Sequence, residues 1–184
     1  MITYLSESRE ARPAFGGLSI GLHWLMLLLL AAVYACIELR EFYPRGSDIR
    51  EGLKTWHFML GLSVFVLVWI RLIARWRTPL LSPSPGWTRW PAAVGHLALY
   101  GLMIAMPLLG WLALSADGKD IPFFGLSLPP LVAPNEGLTE QLEEWHETLG
   151  VAGYWLIGLH AAAALIHQYV LKDGTLGLML PRRR

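Results

Sequence analysis

Cysteine is almost missing from this chain: Cys36 is the only one among 184 residues. A single thiol cannot make an intrachain disulfide, a four-cysteine zinc site, an iron–sulfur cluster or a Cys-x-x-Cys-His haem attachment. Any cofactor must be held by other side chains. Charge is scarce as well, with 16% charged residues against 54% hydrophobic ones. The mean hydropathy of +0.43 is high for a soluble domain of this size. Repeats and low-complexity tracts are lacking. The first seventeen residues hold no apolar run, so no cleavable signal peptide is expected and the first apolar stretch should stay in the mature protein.

Long apolar sequence is what the chain has in quantity. Leu18–Glu38, Gly52–Ile73, Ala92–Ser115 and Leu142–Tyr169 each reach the roughly 20 residues that a helix needs to cross about 30 Å of hydrocarbon. They predict an all-α fold, a four-helix bundle integral to the membrane, with residues 1–184 forming one domain. The connections Gly46–Gly52 and Thr78–Pro91, the latter broken by Pro79, Pro83, Pro85 and Pro91, are too short for a further domain. The third connection, 116–141, contains "DIPFFGLSLPPLVAPNEG" and reads as a loop on the outer membrane face, placed to serve as a lid. Trp56 and Trp145 at the outer ends, and Trp76, Trp87 and Trp90 at the inner ends, read as interfacial anchors. Pro107 is expected to kink the third span.

Orientation follows from the 15 Lys and Arg residues. Ten lie at the N-terminus (Arg9, Arg12), around the second connection (Arg71, Arg75, Arg77, Arg89) and at the C-terminus (Lys172, Arg182, Arg183, Arg184). The first and third connections hold the other five, Arg40, Arg45, Arg50, Lys54 and Lys119. By the positive-inside rule both termini face the cytoplasm. Membrane lipid is the expected surrounding, and no nucleic-acid partner is expected.

Each span also carries histidine, which is costly in hydrocarbon and functional by default. In "WHETLGVAGYWLIGLH" fourteen residues separate His146 from His160. At about 100° and 1.5 Å per residue they lie within roughly 40° of one another on one helix face, about 21 Å apart in depth. Gly150 and Gly153 lie between them on that stripe and leave room for a flat group. Alternating span directions put His57 level with His146 near the outer surface, and His23 level with His160 near the inner one. His96 and His167 lie near the inner surface too and are read as non-ligands. Two layers of paired imidazoles suit two b-type haems, each iron taking one imidazole on either face of the porphyrin. Arg71, fourteen residues after His57, is level with the inner layer, where pairing with a haem propionate and snorkelling to headgroups both fit. Arg40 and Arg45 either serve the outer propionates or sit in water.

At these residues the chain resembles the bacterial cytochrome b561 family. The resemblance is carried by "IGLHW", "ELREFYPR", "TWHFMLG", "GHLALYGLMIAMPLLG" and "WHETLGVAGYWLIGLHAAAALIH", with a basic "MLPRRR" end. It implies a four-helix bacterial inner-membrane protein with two haem b groups, the inner on His23 and His160, the outer on His57 and His146. It also implies electron transfer between an outer-face substrate and a membrane quinone, in one branch from superoxide to ubiquinone. The cations Arg40, Arg45, Arg50 and Lys54 would then attract the superoxide anion. His167 would supply protons to the quinone at the cytoplasmic interface. Two other readings stand beside this one. The chain is an electron-transfer subunit for a partner dehydrogenase or hydrogenase, docking through its third connection, or a histidine-lined metal transporter, which would need carboxylates beside the histidines.

Overall fold

The computed structural model describes residues 16–76 and 89–180. Arg9, Arg12, Arg77, Pro79, Pro83, Pro85, Trp87 and Arg182 to Arg184, used above for orientation and anchoring, lie outside the described residues. Four long helices dominate: α1 (Gly17–Leu39), α2 (Asp48–Trp76), α3 (Arg89–Ala116) and α4 (Glu136–Ile166). All four are long and apolar enough to cross a membrane. The apolar stretches underestimate the helices because polar first turns continue them. α2 begins with Asp48 and Glu51, carboxylates that favour a helix N-terminus. α4 begins six residues before the apolar stretch, where the Asn135 side chain caps it by accepting from Leu138 N at 3.0 Å. α3 runs unbroken through the buried Pro107.

α1 packs mainly on α2, and α4 mainly on α3. The chief core cluster, Met26, Val64, Val68 and Met103, joins α1, α2 and α3. On α2, Val64 lies seven residues from both His57 and Arg71, so this apolar plug separates the outer and inner polar layers. A smaller cluster, Ala113, Ala116 and Leu142, closes the outer end of α3 against α4. Most large apolar residues elsewhere are exposed, including Leu28, Trp155 and Leu159. This is the surface a bundle presents to lipid, where hydrocarbon replaces water as solvent.

The third connection is more ordered than a loop. β1 (Ile121–Phe123) and β2 (Leu126–Leu128) form an antiparallel hairpin, with Ile121 opposite Leu128 and Phe123 opposite Leu126. Its two-residue turn, Phe124 and Gly125, has φ of 47° and 85°, the pair of positive angles that tight hairpins favour. A left-handed conformation costs a residue such as Phe roughly 1–2 kcal/mol. Contacts offset this: the Phe124 ring lies against Trp56, and Phe124 N donates to Met59 Sδ at 3.4 Å. The hairpin thus rests on α2 beside His57. Trp111 Nε1 donates to Pro129 O, and Leu131 N to Ser115 Oγ, tying the rest of the connection to α3.

Candidate functional site

Two groups of imidazoles form inside the bundle. In the outer one, His57 of α2 faces His146 of α4, ring centres 6.0 Å apart. His57 Nδ1 lies 3.0 Å from Val33 O. A carbonyl only accepts, so Nδ1 carries the proton and Nε2 keeps its lone pair. Among the described residues His146 Nδ1 is buried without a hydrogen-bond partner. Its ring fits because α3 has a glycine opposite: a Cβ on Gly110 would stand 3.3 Å from His146 Cε1. Gly110 escaped the sequence reading, although a glycine in mid-span after Pro107 was a usable signal.

In the inner group, His23 of α1 lies 6.3 Å from His160 of α4, centre to centre, and His96 of α3 lies 5.5 Å from the same His160 ring. His96 is therefore a member of the inner group. Arg71 reaches in from α2, with Nη2 2.9 Å from His23 Nδ1 and Nε donating to Tyr100 Oη at 3.2 Å. Its Nη1 is buried with no partner among the described residues. Guanidinium has only donors, so His23 accepts at Nδ1 here and its proton sits on Nε2. Tyr100 also escaped the sequence reading, since a lone tyrosine in an apolar span carries no pattern.

Iron held between two imidazoles sets a spacing that these pairs can be tested against. A metal–imidazole bond is about 2 Å and a ring centre lies about 1.1 Å beyond its nitrogen, so two rings on one ion stand about 6 Å apart. Both the outer pair at 6.0 Å and the His23–His160 pair at 6.3 Å meet this. The outer pair also has the required tautomer at His57. At the inner pair, ligation through His23 Nε2 requires Arg71 to release Nδ1, and the unpartnered Nη1 shows that Arg71 has donor capacity for a carboxylate. Among the described residues no three His, Cys, Asp or Glu side chains converge on a metal position, so the cage that a histidine-lined transporter needs is lacking there.

The sequence reading is corrected at the stripe between the layers. Gly153 does not face open space: a Cβ there would stand 2.2 Å from Tyr34 Oη. Tyr34 donates to Gly150 O at 2.9 Å and packs on the Tyr154 ring, 4.3 Å between centres, while Tyr154 donates to Glu38 Oε1 at 2.6 Å. These tyrosines bridge the α1–α4 seam.

The outer cations divide by role. Arg50 is buried at 8% exposure. It donates to Arg40 O and Tyr43 O through Nη1 and to both Glu41 oxygens through Nη2, so it builds the turn instead of attracting anions. Arg40 pairs with Glu41 at 3.0 Å. Lys54 pairs with Glu51, and Lys119 with Asp117. Arg45 lies exposed on the turn. His167 is apart from both imidazole groups, at the end of α4, with Nδ1 2.5 Å from Asp173 Oδ2.

Paired imidazoles at two depths of a four-helix membrane bundle are the layout of a membrane electron-transfer protein of the cytochrome b class. Comparison with known proteins agrees. The family described as "Prokaryotic cytochrome b561" matches residues 14–182. "Cytochrome b561 homolog 1" of Escherichia coli (strain K12) is 39% identical over 173 residues, 92% of this chain and 98% of that protein. "Probable superoxide oxidase CybB" of Yersinia pestis is 41% identical over 170 residues, 91% of this chain and 96% of that one. "Cytochrome b561 homolog 2" of E. coli is 32% identical, with 90% of each chain covered. The chain belongs to the prokaryotic cytochrome b561 family, as its sequence motifs indicated, and is a multi-pass bacterial membrane protein whose family implies haem b.

Proposed function

We propose that this single domain binds two haem b groups, one on His57 and His146 and one on His23 and His160. We further propose that it oxidises superoxide at the outer face of the bacterial inner membrane, reduces ubiquinone in the inner half, and keeps both termini cytoplasmic. The observation that carries the reading is the pair of imidazole couples at opposite depths, each spaced for one iron. The name of the Yersinia relative, a probable superoxide oxidase, supports the substrate.

Bound haem supplies a one-electron carrier at each depth. The chain's own residues do the rest. Val33 O holds the His57 tautomer, and the Phe124 hairpin beside Trp56 covers that end of α2. Arg45 draws the anion toward the outer surface, where Arg40 is partly neutralised by Glu41. Arg71, whose Nη1 is free to donate, would hold a propionate carboxylate of the inner haem. His167 hands protons to ubiquinone. In each full turnover two superoxide anions become two dioxygen molecules, and two electrons with two protons convert ubiquinone to ubiquinol.

A reduced-minus-oxidised visible spectrum with haem counted per chain tests the cofactor: two haems are expected, and none would end this reading. The substrate is tested by following superoxide loss, net of spontaneous dismutation, with and without ubiquinone. Faster loss with ubiquinone is expected. No difference, together with haem reduction by a partner dehydrogenase, would make the chain an electron-transfer subunit.

A further inference from the structure

The turn after α4 carries a side-chain pair that belongs to neither imidazole group. His167 opens a π-helical turn, His167–Leu171, and Lys172, in the left-handed conformation with φ 52°, folds the chain back. The return sets Asp173 Oδ2 2.5 Å from His167 Nδ1, with the imidazole side chain 17% and the carboxylate 9% exposed. Further bonds hold this arrangement. Asp173 N donates to His167 O at 3.3 Å, and Thr175 N donates to Asp173 Oδ1 at 2.9 Å. Trp24 Nε1, next to His23, donates to Met179 O at 2.8 Å and fastens the returning segment to α1. Burial pushes the Asp173 carboxyl upward, but hydrogen bonds from Thr175 and His167 outweigh it and hold it down at about 2. The carboxylate is therefore a permanent negative charge against the imidazole.

A carboxylate accepts only, so the proton between the two groups sits on His167 Nδ1 and exchange with a third molecule takes place at Nε2. His167 follows His160 by seven residues, about 10 Å along the axis on nearly the same face. We propose, resting on the quinone-reducing reading above, that Asp173 is the positioning residue of a His167–Asp173 dyad that delivers protons to a quinone oxygen at the cytoplasmic end of α4. The quinone takes two electrons, those released when two superoxide anions become dioxygen. Each proton passes from Nε2 of the imidazolium to a quinone carbonyl oxygen, and Nε2 is reloaded from cytoplasmic water. Asp173 stays ionised throughout. It holds the tautomer, as a carboxylate behind a catalytic histidine does elsewhere.

Asp173→Asn separates this role from a structural one. The amide oxygen can still accept from Thr175 N, so the turn survives, while the amide nitrogen donates to His167 Nδ1 and forces the proton onto Nε2. Full-length haem-loaded protein in phosphatidylethanolamine and phosphatidylglycerol vesicles is reduced, then mixed with a short-chain ubiquinone or with ferricyanide, which takes an electron without a proton. For D173N, oxidation by ubiquinone should slow about tenfold or more, less than the roughly 10²–10⁴-fold of general acid catalysis as a whole because His167 itself remains, with a larger solvent deuterium effect. Oxidation by ferricyanide should match the parent. The ring ¹⁵N spectrum of His167 should switch tautomer, and Asp173→Glu, which keeps the charge, should recover part of the rate. Equal ubiquinone rates in parent and D173N, or an unchanged tautomer, would overturn the dyad alone. A parent whose haems ubiquinone does not oxidise would overturn the quinone reading and the dyad with it.

Discussion

Gly153→Ala is the most quantitative perturbation the structure offers. Alanine is favoured over glycine in a helix by about 1 kcal/mol. Here, however, its Cβ would lie 2.2 Å from Tyr34 Oη and 3.1 Å from Leu102 Cδ2. The hydroxyl cannot yield without losing its bond to Gly150 O and shifting its ring on Tyr154. Overpacking of this kind costs about 1–3 kcal/mol, and a side-chain hydrogen bond between membrane helices about 0.6 kcal/mol. The net loss for G153A is then about 1–2 kcal/mol. Tyr34→Phe by itself removes only the hydrogen bond, about 0.6 kcal/mol. It also removes the one Tyr34 atom in collision, since the next, Cζ, would be 3.5 Å from the new Cβ, an ordinary contact. The double variant should therefore be close to the parent, and a double-mutant cycle should show about 2–3 kcal/mol of favourable coupling. The assay is reversible unfolding of the full chain in mixed detergent micelles, read by helical circular dichroism. Additive losses in the double variant would refute the Tyr34–Gly153 packing.

His57→Ala and His146→Ala should each remove the same haem spectral component, with no further loss in the double variant, while His23→Ala and His160→Ala remove the other; spectra of the purified variants decide this, and unmatched losses would break the pairing. Arg45→Gln should slow oxidation of superoxide at low salt more than at high salt, because screening removes steering, and leave stability unchanged. Arg50→Gln should act the other way, destabilising the chain by about 1–3 kcal/mol through unsatisfied carbonyls, as thermal unfolding would reveal. Asp173 titrates from an ordinary 3.8 down to about 2 in the fold. A lowered carboxyl stabilises the ionised state, so its contribution to docking of the segment after Lys172 is complete above pH 3.8 and lost as pH falls through about 2. Hydrogen exchange in residues 172–180 should rise across that window in the parent and be flat in D173N.

Much of this protein is legible along one dimension. Crossing a membrane depends on length and hydropathy, which are local properties, so the four spans can be read directly. Depth is equally simple, because rise per residue is constant and successive spans alternate in direction. For that reason spacing alone matches His57 with His146, and puts His23 and His160 in one inner layer with His96 and His167 as further candidates. Fourteen-residue spacing likewise puts Arg71 level with the inner group. Boundaries are less legible, since the polar first turns of α2 and α4 are helical through capping and not through hydropathy.

What only the tertiary structure decided concerns which side chains meet across helices. Spacing gives each residue an angle on its own helix, but not the rotation of that helix against its neighbours. Gly153 thus reads as room for a flat group along its own helix, whereas Tyr34, from α1, occupies that room, and Gly110 has a role only because His146 lies against it. His96 joins His160 for the same reason. The hairpin at Phe124 is hidden in the sequence because its turn lacks the usual asparagine, and contacts with Trp56 and Met59 of α2 compensate for the strain. Among the outer cations, composition makes Arg45 and Arg50 alike. Burial against the carbonyls of residues 40 and 43 makes one of them structural and leaves the other exposed.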